Sequence, residues 1–166
     1  MAARLFLAPY RVATRKNAPM SLLRNIGPLA AASFATGTQT YVFAGLLGEM
    51  ASELGVGIGT AGQLATAYAV TFALAAPLLG GLLGARERRG VLLAALLAVA
   101  ALNLAAAVAM GFAALLGLRI AVGVAAAAIT PIASAAAIAL VPPAQRGRAL
   151  AMVSSGMVVA FILGIP

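Results

Sequence analysis

The sequence predicts an all-α membrane protein, and three observations carry that prediction. Hydrophobic residues fill 64% of the 166 positions and charged residues only 8%, against roughly 25% charged in a soluble domain. The runs 61–84 and 91–113 carry no charge, and each supplies the roughly 20 residues that cross the hydrocarbon core at about 1.5 Å per residue. Between them Gly80 to Gly90 reads GGLLGARERRG, three arginines and one glutamate in a short loop.

The first element is residues 1–25, with Arg4, Arg11, Arg15, Lys16 and Arg24, no acid, and Pro9 and Pro19 to interrupt a long helix. It reads as an uncleaved basic cytoplasmic tail, with an Arg-rich organelle transit peptide as the rival. A secretory signal fits poorly, because the apolar run Leu5 to Pro9 is too short. Five apolar segments follow in a bundle over 26–166, at about 26–48, 61–84, 91–113, 114–141 and 149–166. Their connections alternate in charge. Glu49 and Glu53 lie in the first, Arg86, Arg88 and Arg89 in the second, the turn near Gly111 is uncharged, and Arg146 and Arg148 lie in the last. Basic loops mark the cytoplasmic side. A cytoplasmic N-terminus therefore places ten of the eleven Lys and Arg inside, leaving Arg119 within the fourth helix. The fifth segment stops at Gly164-Ile165-Pro166 without a polar anchor. That ending suggests a truncated bundle, with a short five-helix protein as the alternative.

Composition removes most chemistry. The chain has no Cys, His or Asp, and its only acids are Glu49, Glu53 and Glu87. Zinc sites, Ser-His-Asp or Cys-His pairs and carboxylate clusters for divalent metals all lack their residues. No P-loop or GxGxxG sequence is present, so no cofactor and no enzymatic activity is expected. The positive residues behind the net charge of +8 lie between apolar runs, which fits loop anchoring better than the basic face of a nucleic-acid-binding domain.

Small residues supply packing surfaces, because helices in lipid attract one another through close backbone approach. Gly80 and Gly84 lie four apart, as do Gly156, Ala160 and Gly164, so each set forms a groove on one helical face. Such stripes serve tight packing; the sliding surfaces of a transporter use the same chemistry. Polar residues in the spans are more informative, since each costs free energy without a partner. Ser33, Thr36, Thr38, Gln39, Thr40 and Tyr41 form a polar middle in the first helix, and Gln63, Thr66, Tyr68 and Thr71 another in the second. Ser and Thr can bond back to their own helix. Gln39 and Asn103 carry amides that a helix backbone does not absorb, so each bonds across helices or lines an aqueous cavity. Arg119 stays protonated. It either snorkels to the outer interface or faces a wet interior, and Gly123, Thr130 and Ser134 on the same ideal helical face favour the interior. Pro131, in mid-span, should kink the fourth helix.

These residues resemble the major facilitator superfamily, in particular the first half of its twelve-helix drug and sugar efflux branch, over about residues 26–166. The run Gly37 to Leu47, GTQTYVFAGLL, looks like the first-helix signature of the arabinose-efflux-like subgroup. Gly81 to Arg89, GLLGARERR, resembles the loop between helices two and three. Leu115 to Ala127, with Arg119 and Gly123, resembles the fourth-helix arginine motif, and Gly156 to Pro166 the start of the fifth-helix antiporter motif. The resemblance implies five helices of an N-terminal six-helix bundle, in the cell inner (plasma) membrane. It also implies proton-coupled export of a drug- or sugar-type small molecule by alternating access about a midplane site.

On this reading Gln39, Thr40, Tyr41, Asn103 and Arg119 line the substrate pathway. Gly81, Arg86, Arg88 and Arg89 serve the cytoplasmic gate, and Gly80, Gly84, Gly123, Gly156, Gly164 and Pro166 pack helices. The partners implied are the lipid bilayer, a small-molecule substrate, protons and the missing C-terminal helices of the same protein. Two departures stand out: Ala85 replaces the usual loop Asp, and Thr40 occupies a first-helix position often acidic in related exporters. The rival reading is a truncated, non-transporting membrane fragment that only packs with partner helices.

Overall fold

The computed structural model describes residues 18–83 and 87–164. Most of the basic tail, together with Gly84, Ala85, Arg86, Ile165 and Pro166, lies outside the described residues. The elements are α1 (Ala18–Gly45), α2 (Leu47–Glu53), α3 (Ile58–Leu83), α4 (Arg88–Ala107), α5 (Phe112–Ala127), α6 (Ile129–Ala139), a 3₁₀ turn (Pro143–Gln145) and α7 (Arg146–Gly164). Among the described residues there is no strand.

Four stretches are long and apolar enough to cross a membrane: Ile58–Leu83, Arg88–Ala107, Phe112–Ala139 and Pro143–Leu163. The sequence suggested five. The remaining helix, α1, has the length at 28 residues, but Thr36, Thr38, Gln39 and Thr40 dilute the hydropathy of its middle. Exposed leucines form stripes on two of the others. Leu74, Leu78 and Leu82 run down α3 at four-residue steps, and Leu93, Leu97 and Leu104 run along α4, all at least half exposed. A water-soluble monomer rarely exposes such contiguous apolar stripes.

Local chemistry explains where the elements break. Pro131 has no N–H to offer the carbonyl four residues back and its ring crowds that turn, so the fourth span splits into α5 and α6 around Ala128. The acidic connection after α1 contains a short helix, α2, closed by Gly55 at φ +63°. Gly111 adopts φ +90° and ψ 158° immediately before α5, a region of backbone space essentially confined to glycine. The third span ends at Ala107, with Val108 as its C-cap, earlier than an uninterrupted apolar run implies.

The helices pack in two groups. In one, α1 lies along α7 with α6 against both, and Ile26, Leu29, Ala133, Ala137, Val141, Ala149 and Val153 form the buried core. In the other, α5 packs on α3 and α4 around Tyr68, Val122 and Ala126. Contact between α1 and α3 is sparse. That gap between the groups positions the site.

Candidate functional site

A cavity of about 420 Å³ opens between α1, α3, α5 and α7. Helix α1 contributes Thr36, Gly37, Thr40, Tyr41 and Ala44. Helix α3 contributes Ala65, Tyr68, Ala69 and Phe72, and Arg119 and Met157 complete the lining from α5 and α7. The threonines reach it because Thr36 and Thr40 are one turn apart on the same face. The α1 hydroxyls largely satisfy themselves. Thr36, Thr38 and Thr40 donate to the carbonyls of Ala32, Phe34 and Thr36 at 3.0, 2.9 and 3.0 Å. The Thr40 hydroxyl also lies 3.2 Å from that of Tyr68. Its own proton is committed to Thr36, so Tyr68 donates to it, tying α1 to α3 at the cavity wall.

Arg119 sits seven residues after Phe112, roughly 10 Å into α5 at 1.5 Å per residue, and is only 4% exposed. It does not snorkel to the interface; it turns inward. Its guanidinium carbon lies 3.8 Å from the centroid of the Phe43 ring and 4.7 Å from that of Tyr68, distances at which cation–π attraction is substantial in a desolvated site. Its Nε is buried without a hydrogen-bond partner. The face expected to join Arg119, Gly123, Thr130 and Ser134 is broken by the step between α5 and α6. Gly123 packs on α3, where an added Cβ would come within 3.0 Å of Thr71 Cβ and of the Tyr68 carbonyl oxygen. Thr130 lines a different cavity.

That second cavity, of about 340 Å³, lies between α1, α6 and α7 and is lined by Ser33, Tyr41, Thr130, Ser154, Met157, Val158 and Phe161. Tyr41 and Met157 border both cavities, and Tyr41 meets Phe161 edge-on with centroids 5.0 Å apart. The hydroxyls of Ser33 and Thr130 are buried without partners.

Gln39 and Asn103 line neither cavity. They meet each other: Asn103 Nδ2 donates to Gln39 Oε1 at 3.0 Å and to the Val99 carbonyl at 2.8 Å, while Gln39 Nε2 is buried without a partner. Of the two uses open to these amides, the structure shows interhelical bonding between α1 and α4, and, against the expectation, the Asn103 amide also bonds back to its own helix at Val99, four residues earlier.

At the opposite end of α3, Arg88 and Arg89 are exposed at the start of α4. Arg88 Nη1 donates to the Ala135 carbonyl at 3.2 Å, close to the C-terminal turn of α6, where helix carbonyls carry partial negative charge. A Cβ on Gly81 would meet nothing within 4 Å, and one on Gly80 only Pro131 Cβ at 4.0 Å. Gly156 differs, since a Cβ there would collide with the Ala30 carbonyl oxygen, and a Cβ on Gly37 would approach Ala160 Cβ to 2.7 Å. Gly164 ends α7.

Sequence reasoning missed Phe43, Phe72 and Met157 as lining or clamping residues. A signal existed for Phe43, which follows Thr36 by seven residues and Thr40 by three, on one helical face. Met157, on a helix remote in sequence, had none.

The sequence pattern of the Major Facilitator Superfamily matches residues 29–166. The chain belongs to that superfamily. It is 41% identical over 138 residues to a chloramphenicol resistance protein of Streptomyces lividans, covering 83% of this chain and 35% of that protein. Two uncharacterized MFS-type transporters of Bacillus subtilis, YbcL and YtbD, are 31% and 30% identical over the same length, with the same coverage. The chain thus spans about a third of the length of the curated relatives it matches. Membership makes it a multi-pass membrane protein of a transporter family, not an enzyme.

Proposed function

We propose that this chain forms one wall of the substrate pathway in an exporter of small molecules that works by alternating access and proton antiport. In this reading it lies in the cell inner membrane with a cytoplasmic N-terminus. Its basic segments, including Arg86 to Arg89 and Arg146 to Arg148, then fall on the positive, cytoplasmic side. The observation that carries the proposal is Arg119, a buried cation on a cavity of about 420 Å³, within the range of roughly 300–1,000 Å³ common to small-molecule sites. An intramembrane charge is expensive and marks a pathway by default.

The similarity to a chloramphenicol resistance protein supports a drug-type substrate. Thr40, Tyr41 and Arg119 line the pathway directly. Gln39 and Asn103 act from behind it, holding α1 against α4, and the Arg88 contact to α6 restrains the cytoplasmic gate loop. No acid of these 166 residues lies inside a membrane-spanning helix, so none of them carries the coupling proton across the bilayer core.

Accumulation of radiolabelled chloramphenicol in an efflux-deficient host tests the reading. The protein expressed from its complete gene should lower accumulation, and a protonophore should restore it. Arg119→Ala should abolish export with the membrane level unchanged. Normal efflux by the variant would remove Arg119 from the mechanism.

A further inference from the structure

A guanidinium carries five N–H donors and no acceptor, and cation–π contact with a ring satisfies none of them. Arg119 is flanked by Phe43 and Tyr68, its Nε has no partner, and it is almost fully buried on the wall of the cavity between α1, α3, α5 and α7. No carboxylate is at hand, for Glu49, Glu53 and Glu87 are exposed and lie outside the long helices or at their very start. Burying a charge is costly unless a counter-charge or acceptor meets it. Apart from Thr36 and Thr40, whose hydroxyl protons are committed to α1 carbonyls, the rest of the lining is aromatic and apolar, with Tyr41, Tyr68, Phe72 and Met157 among it.

We infer that this cavity selects aromatic molecules that are neutral or anionic and present an acceptor oxygen to Arg119, and that it rejects lipophilic cations. The inference rests on the exporter reading and narrows its substrate class. Aromatic walls by themselves favour cations through their π faces. Here Tyr68 already faces a guanidinium, so an incoming cation meets like charge at the place where the wall would otherwise attract it. A carboxylate or amide oxygen instead gains a charge-assisted hydrogen bond, about twice as strong as a neutral one.

Three biphenyl probes of matched shape test this: 4-phenylbenzoate, 4-phenylbenzamide and 4-phenylbenzylammonium, radiolabelled and measured by direct binding. The protein, expressed from its complete gene, is held in lipid nanodiscs at neutral pH. The carboxylate and the amide should bind at least about tenfold more tightly than the ammonium. Arg119→Gln should compress the range to within about threefold, and Arg119→Lys, which keeps a cation, should preserve the order.

An ammonium probe that binds wild-type protein as well as the others overturns the inference, as does an unchanged order in Arg119→Gln. Either result alongside intact chloramphenicol efflux leaves the exporter reading standing. Loss of both efflux and binding of all three probes overturns the two together.

Discussion

Helix α1 faces two environments that solve opposite problems. Toward α7 it makes close backbone contacts, in which the Ala30 backbone lies against Gly156 and Gly37 against Ala160. Toward α3 and α5 it borders a cavity furnished with Thr36, Thr40, Tyr41 and the buried Arg119. The close contacts gain stability from atoms that are missing; the cavity gains specificity from polar atoms retained at a cost. In lipid the first is needed because dispersion at close approach replaces the hydrophobic effect between helices. The second persists only because something else repays the buried charge.

That contrast can be broken most severely at Gly156. Gly156→Leu drives a side chain into the α1 backbone, so the protein should fail to accumulate in the membrane or should lose well over the about 1–3 kcal/mol typical of overpacking. Membrane immunoblotting and detergent-resistance melting read this directly, and a normal level would mean that the two helices need not approach so closely. Asn103→Ala removes the clasp to Gln39 and should cost about 0.6 kcal/mol, the average for interhelical hydrogen bonds in membranes, with about 1.7 as a ceiling. A melting shift beyond that range would show that the amide pair supports more than one contact. Gly80→Ala should be silent or slightly stabilising, by up to about 1 kcal/mol, because the helix gains propensity and the new methyl meets only Pro131 at ordinary contact distance. A loss of stability there would place a close helix neighbour on α3 that the described residues do not contain.

The fold was largely legible in the sequence. Length and hydropathy mark apolar helices because backbone groups in hydrocarbon must be satisfied within their own segment, and Pro131 announced the break between α5 and α6. Boundaries were less legible. An Ala-rich run gives no hydropathy signal where it ends, so the stop of α4 at Ala107 came only from the structure. The extra helix α2 was hidden in a connection read only for its charge.

The site was legible in part. Arg119 stood out because any charge in such a stretch does, and Thr40 and Tyr41 because they interrupt an apolar helix. Gln39 and Asn103 carry the same signal, yet the structure pairs them with each other, away from both cavities. Sequence spacing places residues on a face of one helix; it does not say which neighbour that face meets.

By itself, then, the sequence determined an all-helical membrane chain and one intramembrane cation with no acid among its spans. Those properties follow from transfer free energies, which each residue carries wherever it sits. Only the tertiary structure decided that Arg119 turns inward between Phe43 and Tyr68, that Gly156 touches α1 while Gly80 touches little, and that Thr130 and Arg119 serve different cavities. These depend on how helices remote in sequence approach and rotate against one another, and packing of the whole bundle fixes that.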